Sequence, residues 1–200
     1  MKTKIILAAA LFFSLILSSC KKDTNSGGTQ NSIQGNWKLI SVSGISQVTD
    51  TYQQYGSAYK NISNYTYSSS TASGSYNITS TNFDGQSIAY NTTGTLTMKI
   101  YQDNNLLLDN SQSSQAAITA TNSTSTYKKI GTDSLYFVSG SLINVSTGTS
   151  SSMTPAGMKY TIEGTKLTLS MDQTQSSIIT QSGVSVNRLM HATATVTLQQ

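Results

Sequence analysis

One cysteine, Cys20, in 200 residues leaves no partner for an intramolecular disulfide. One histidine, His191, and one glutamate, Glu163, leave no stock from which to assemble a nucleophile-base-acid triad or a pair of glutamates for acid-base work, so no enzymatic activity is expected. The serine-lysine spacing occurs twice, at Ser57/Lys60 and Ser125/Lys128, as expected in a chain with 63 serines and threonines. Charge is also scarce, at 10% of residues, and apart from Lys21-Lys22 and Lys128-Lys129 no two basic residues are adjacent. That distribution gives no nucleic-acid footprint. Proline appears only at Pro155 and helix formers are few, whereas threonine, isoleucine, valine and tyrosine are common, a composition that favours pleated strands.

The amino terminus is the clearest local signal. Lys2 and Lys4 precede an apolar run over 5–17, which is followed by Leu17-Ser18-Ser19-Cys20. The run of 13 residues is shorter than the roughly 20 that a spanning helix needs. The order of charged, apolar and small residues before a cysteine resembles a bacterial lipoprotein signal peptide, and the resemblance implies cleavage between Ser19 and Cys20 with lipid on the Cys20 thiol. Acyl chains contribute about 0.8 kcal/mol per buried methylene, so a terminus carrying several is expected to hold the protein firmly on a membrane, the outer membrane of the cell envelope. With Cys20 acylated, His191 is the one remaining His/Cys ligand, and no metal or other cofactor is expected. The expected organisation is a signal peptide over 1–19, a lipidated cysteine and flexible tether over 20–32 that has no apolar side chain after Cys20, and one domain over 33–200.

Within that domain the alternation of apolar and polar residues predicts strands at 37–44, 93–101, 116–121, 134–138, 141–145, 159–163, 166–171 and 191–198. Leu96, Met98 and Ile100 fall on one face. Asp84-Gly85 and Asp103-Asn104-Asn105 read as hairpin turns, and the serine-rich stretches 68–75, 111–114 and 146–152 as loops.

Gly35-Asn36-Trp37-Lys38-Leu39-Ile40 resembles the Gly-x-Trp first strand of lipocalins. With the hairpin over 160–169 and the closing strand over 192–198, it is similar to the lipocalin-like lipoproteins of Bacteroidetes. The expected fold is therefore all-β, an antiparallel up-and-down meander barrel of lipocalin-like form. The resemblance implies that Trp37 plugs one end and that Arg188, the only arginine, lies across its ring in a cation–π contact worth about 0.5–2 kcal/mol.

Tyr52, Tyr55, Tyr59, Tyr65, Tyr67 and Tyr76 crowd into 25 residues. The spacing of Tyr52, Tyr55 and Tyr59 predicts one face of a short helix or lid, and Tyr65 and Tyr67 share a strand face. Such rings suit either a core short of phenylalanine or contact with a ligand at a pocket mouth. The expected function is a membrane-anchored envelope protein that binds a small apolar ligand, with Tyr52, Tyr55, Tyr59, Tyr65 and Tyr67 as candidate contacts. The alternative is an adaptor for an envelope protein partner, with no ligand of its own. Asp133-Ser134-Leu135 resembles a short O-glycosylation motif of secreted Bacteroidetes proteins, which makes Ser134 a candidate site.

Overall fold

Among the described residues eight strands, joined in sequence order by antiparallel ladders, close on themselves where β8 pairs with β1. The structure, a computed structural model, describes residues 32–139, 142 and 157–200. The signal peptide, Cys20, the tether up to residue 31, the 141–145 strand apart from Leu142 and the 146–152 loop lie outside the described residues. The strands are β1 (Gly35–Gln54), β2 (Ser57–Ile78), β3 (Asn82–Gln102), β4 (Asn105–Ile130), β5 (Ser134–Ser139), β6 (Gly157–Glu163), β7 (Lys166–Gln181) and β8 (Val184–Gln199). This is the expected all-β, up-and-down antiparallel barrel.

Strand length divides the molecule into two halves. β5 and β6 have 6 and 7 residues, whereas β1 to β4 have 20 to 26 and β7 and β8 have 16 each. At the end holding Trp37 all eight strands take part, and the interior is filled. Trp37, Tyr76, Ile78, Phe83, Leu135, Leu167, Leu169, Val196 and Leu198 are almost wholly buried there. Phe83 packs edge-on against Tyr127, with ring centroids 5.0 Å apart, and against Phe137 at 5.3 Å. Side chains facing outward at this end are mainly polar, among them Lys38, Lys159, Thr161, Glu163, Ser170, Thr193, Thr195 and Thr197. Apolar-in and polar-out is the reverse of the pattern on a membrane-spanning barrel, whose outer band must be apolar.

Beyond this closed end the wall continues as six strands in the order β4-β3-β2-β1-β8-β7. Among the described residues, β4 over 105–125 pairs only with β3, and β7 over 171–181 pairs only with β8. Beyond the Gly44 row the side chains of this open half, Val186 excepted, are half-buried or exposed, because no second layer of described residues covers them.

Several local expectations are corrected. The serine-rich stretches 68–75 and 111–114 are strand, within β2 and β4: both pair with β3, while the ladder to β1 is interrupted between Ser68 and Ser75, where the Ser69 hydroxyl accepts from the Val42 N–H at 2.9 Å. Asp84-Gly85 lies inside β3. The chain turns instead at 79–82, where the Thr79 hydroxyl accepts from the backbone N–H of Asn82 at 3.0 Å and of Thr81 at 3.3 Å. Gly85 is glycine because a Cβ there would come within 2.6 Å of Ser123 Oγ and 3.1 Å of Tyr76. Asp103-Asn104 does turn the chain, with both residues at positive φ (49° and 66°), as the primed hairpin type requires.

Candidate functional site

The face of the open half that continues the barrel interior is identified by register. Tyr67, Ala194 and Met171 are buried in the core, and residues two apart on a strand share a face. Gly44, Ser46, Val48, Asp50 and Tyr52 of β1 therefore line this inner face. Opposite them stand Tyr67, Tyr65, Ser63, Asn61 and Tyr59 of β2, and Ala194, Ala192, Met190, Arg188 and Val186 of β8. β3 adds Leu96, Met98, Ile100 and Gln102 in the same rows. Most of these side chains are half-buried.

The tyrosines sort by height. Tyr67 is buried, and its hydroxyl side lies over Gly44, where a Cβ would come within 2.6 Å of its oxygen. Tyr65 stacks on Tyr67 with centroids 5.4 Å apart, and its ring covers Gly94. Burial, then the neighbouring Tyr65, pushes the Tyr67 phenol up to about 12, and burial pushes Tyr76 further still. Tyr67 is thus a core residue that closes the floor of the open half. Tyr52 and Tyr59 face each other across the β1–β2 hairpin at the far end, with rings stacked 5.2 Å apart and 8° from parallel. Tyr55 occupies the turn with Gly56 and is 96% exposed. Among the described residues no helix or helical lid forms. The spacing of Tyr52, Tyr55 and Tyr59 spans a strand, a two-residue turn and the next strand, so Tyr55 points away from the other two.

Arg188 lies within β8, opposite Asp50, 13 residues beyond Trp37 along β1 and so about 40 Å from it at about 3.3 Å per residue. The expected contact between Arg188 and Trp37 is therefore corrected. Arg188 Nε donates to Asp50 Oδ1 at 2.8 Å and Nη2 to Oδ2 at 2.7 Å, a bidentate pair whose side chains are 29% and 14% exposed. The hydrogen bond to Asp50 pushes the guanidinium pKa further up. Trp37 is fully buried and donates its indole N–H to the Ile33 carbonyl at 2.8 Å. Gly35, at φ 135°, sits beside it.

Asn61 completes the row between Ile100 and Asp50, and its Oδ1 is buried without a hydrogen-bond partner among the described residues. Neither Asp50 nor Asn61 carried a sequence signal, because the partner of Arg188 lies 138 positions away. On the inner face Gln102 Nε2 also donates to Ser57 Oγ at 3.1 Å, while the other ion pairs of this half lie on its outer face: Lys99 with Asp109 at 3.0 Å, and His191 with Asp172 at 2.9 Å, all well exposed. A groove of about 460 Å3 is bordered by the outward-facing Thr49, Thr51, Ile178 and Leu189 and reaches Ser177 and Arg188. Ser134 opens β5, with its hydroxyl 3.0 Å from Asp133 Oδ1. Among the described residues no three His, Cys, Asp or Glu side chains gather closely enough to hold a metal.

No protein-family model and no curated protein matches the chain. Among solved structures, it is similar to Ail, the attachment invasion locus protein of Yersinia pestis, solved in complex with the heparin analogue sucrose octasulfate. The two are 10% identical over 82% of this chain and 99% of Ail, with a TM-score of 0.23. A second structure of Ail gives the same identity and coverage at a TM-score of 0.22. A likeness at this level carries nothing about function.

Proposed function

We propose that the chain is a lipid-anchored protein of the bacterial cell envelope, with a lipocalin-like barrel that holds a small, largely apolar molecule against the inner face of its open half. One observation carries the binding reading. The closed end is filled by its own side chains, whereas Val48, Tyr52, Tyr59, Leu96, Met98, Ile100 and Met190 line one face of the open half and are left half-buried. A ligand chain laid on them would gain about 0.8 kcal/mol for each methylene withdrawn from water. Asp50, Arg188 and Asn61 supply a small polar group within the apolar rows, the composition typical of ligand sites. Filling of the closed end by Trp37, Tyr76 and Phe83 removes the deep calyx as the place for a ligand and directs the search to the open half.

Binding is tested with an uncharged naphthylamine dye whose emission rises in apolar surroundings. Wild type is expected to bind one dye saturably. Tyr52→Ser and Tyr59→Ser are expected to weaken binding about tenfold while the unfolding midpoint barely moves. Equal binding by all three would reject the assignment. The envelope address rests on Cys20, and Cys20→Ala is expected to leave the membrane fraction. Retention of that variant through high-salt and carbonate washes would overturn the anchor.

The adaptor reading draws on a different observation. Tyr55 at one hairpin tip, and Leu106 and Leu107 just past the Asp103-Asn104 turn, are each at least half exposed. If wild type binds no dye, these tips become the favoured contact with an envelope protein partner.

A further inference from the structure

We propose that the molecule held on the inner face is an uncharged single-chain amphiphile, and that Asp50 is the residue that sets this preference by occupying Arg188. The inference rests on the binding reading above and goes further by fixing the charge of the ligand. From the Gly44 row to the Tyr52 row the inner face runs eight residues, about 26 Å at about 3.3 Å per residue. Along it the side chains from β3, β2, β1, β8 and β7 are Leu96, Met98, Ile100, Tyr65, Val48, Met190 and similar apolar groups, interrupted by serines and amides. Asp50 and Arg188 are the only charged residues in these rows, and they lie side by side.

A lone arginine amid apolar side chains would select a carboxylate or phosphate head, because its planar fork pairs with such groups through two hydrogen bonds. Here the Nε/Nη2 edge of the guanidinium is taken by Asp50, which also neutralises its charge. Asp50 receives both Nε and Nη2, and its two oxygens are used by that pair. An anionic head arriving at Arg188 would have to displace Asp50 or lie beside a carboxylate that is only 14% exposed. A like charge in so poorly solvated a place is repelled. A hydroxyl or ester head has no such penalty, and it meets the donors and acceptors of Ser63, Gln102 and the tyrosine hydroxyls. The row above the ion pair, Tyr52 with Tyr59, offers flat amphipathic rings at the same end.

The experiment measures displacement of the naphthylamine dye from the chain spanning 21–200, which contains every buried residue of the barrel. The competitors are 1-monooleoylglycerol and oleate at pH 8, which share an acyl chain and differ in head charge. Wild type is expected to favour monooleoylglycerol at least tenfold. Asp50→Asn frees a guanidinium and is expected to reverse the preference toward oleate by a similar factor. The double variant Asp50→Asn/Arg188→Gln has no charge in the rows and is expected to return to monooleoylglycerol. Emission from the buried Trp37, at the opposite end of the barrel, checks that each variant is folded, and the double variant keeps the test open if the unpaired arginine of Asp50→Asn prevents folding. Oleate bound by wild type as tightly as monooleoylglycerol, or a double variant that prefers oleate, overturns the proposal while leaving dye binding, and so the binding reading, intact. Absence of dye binding in wild type overturns both.

Discussion

Trp37 is the residue on which the closed end turns. Its side chain is fully buried, its N–H is satisfied by Ile33, and its neighbours across the ladders are Tyr76 on β2 and, one position on, Gln199 opposite Lys38. Removal of the ring would leave a cavity at the point where all eight strands meet. Trp37→Ala is therefore expected to destabilise the barrel by about 3–5 kcal/mol. The denaturant midpoint checks this, and a midpoint that barely moved would show that the end is not closed by this ring. Arg188 gives the opposite lesson. Its uniqueness marked it in the sequence, but uniqueness cannot name a partner, and the register that sets Asp50 opposite it is a property of the assembled sheet.

Among the elements, the long hairpins explain what the sequence makes legible and what it hides. Alternation at Leu96, Met98 and Ile100 gives both the strand and the shared face, because period two places all three on one side of a pleated strand. The stretch 68–75 hides its strand, since serine, threonine and glycine report no buried face and the pairing with β3 is made by the backbone. In the same way 105–113 of β4, exposed on both faces, offers no period to read. Tyr52, Tyr55 and Tyr59 fit a helical spacing by coincidence. The stronger local signal was Tyr55-Gly56, two residues that both take positive φ, 51° and 82°, in a primed turn. Tyrosine is poorly suited to that conformation, and asparagine visits it readily. Tyr55→Asn should accordingly raise stability by about 0.5–1 kcal/mol and, because Tyr55 points into solvent, leave dye binding unchanged. Thermal unfolding of the variant checks the first expectation, and a lowered midpoint would mean that the ring contributes a contact of its own.

At the scale of the whole molecule, the division into a filled end and an open half follows from two short strands in a sheet of long ones. Six strands carry the wall beyond the reach of β5 and β6 among the described residues, and the apolar rows on their inner side have no layer of their own to cover them. The polar outer surface of the closed end suits a barrel held near a membrane by the lipid proposed on Cys20 better than one inserted through it. On this account the open half is completed by a bound molecule, and the most direct measurement is native mass spectrometry of the chain spanning 21–200 purified from its own host. The account predicts one bound species of a few hundred daltons, uncharged and released on mild collisional activation, that is absent from Tyr59→Ser. A wild-type protein that carries no small molecule, and binds none when offered monooleoylglycerol, would contradict it.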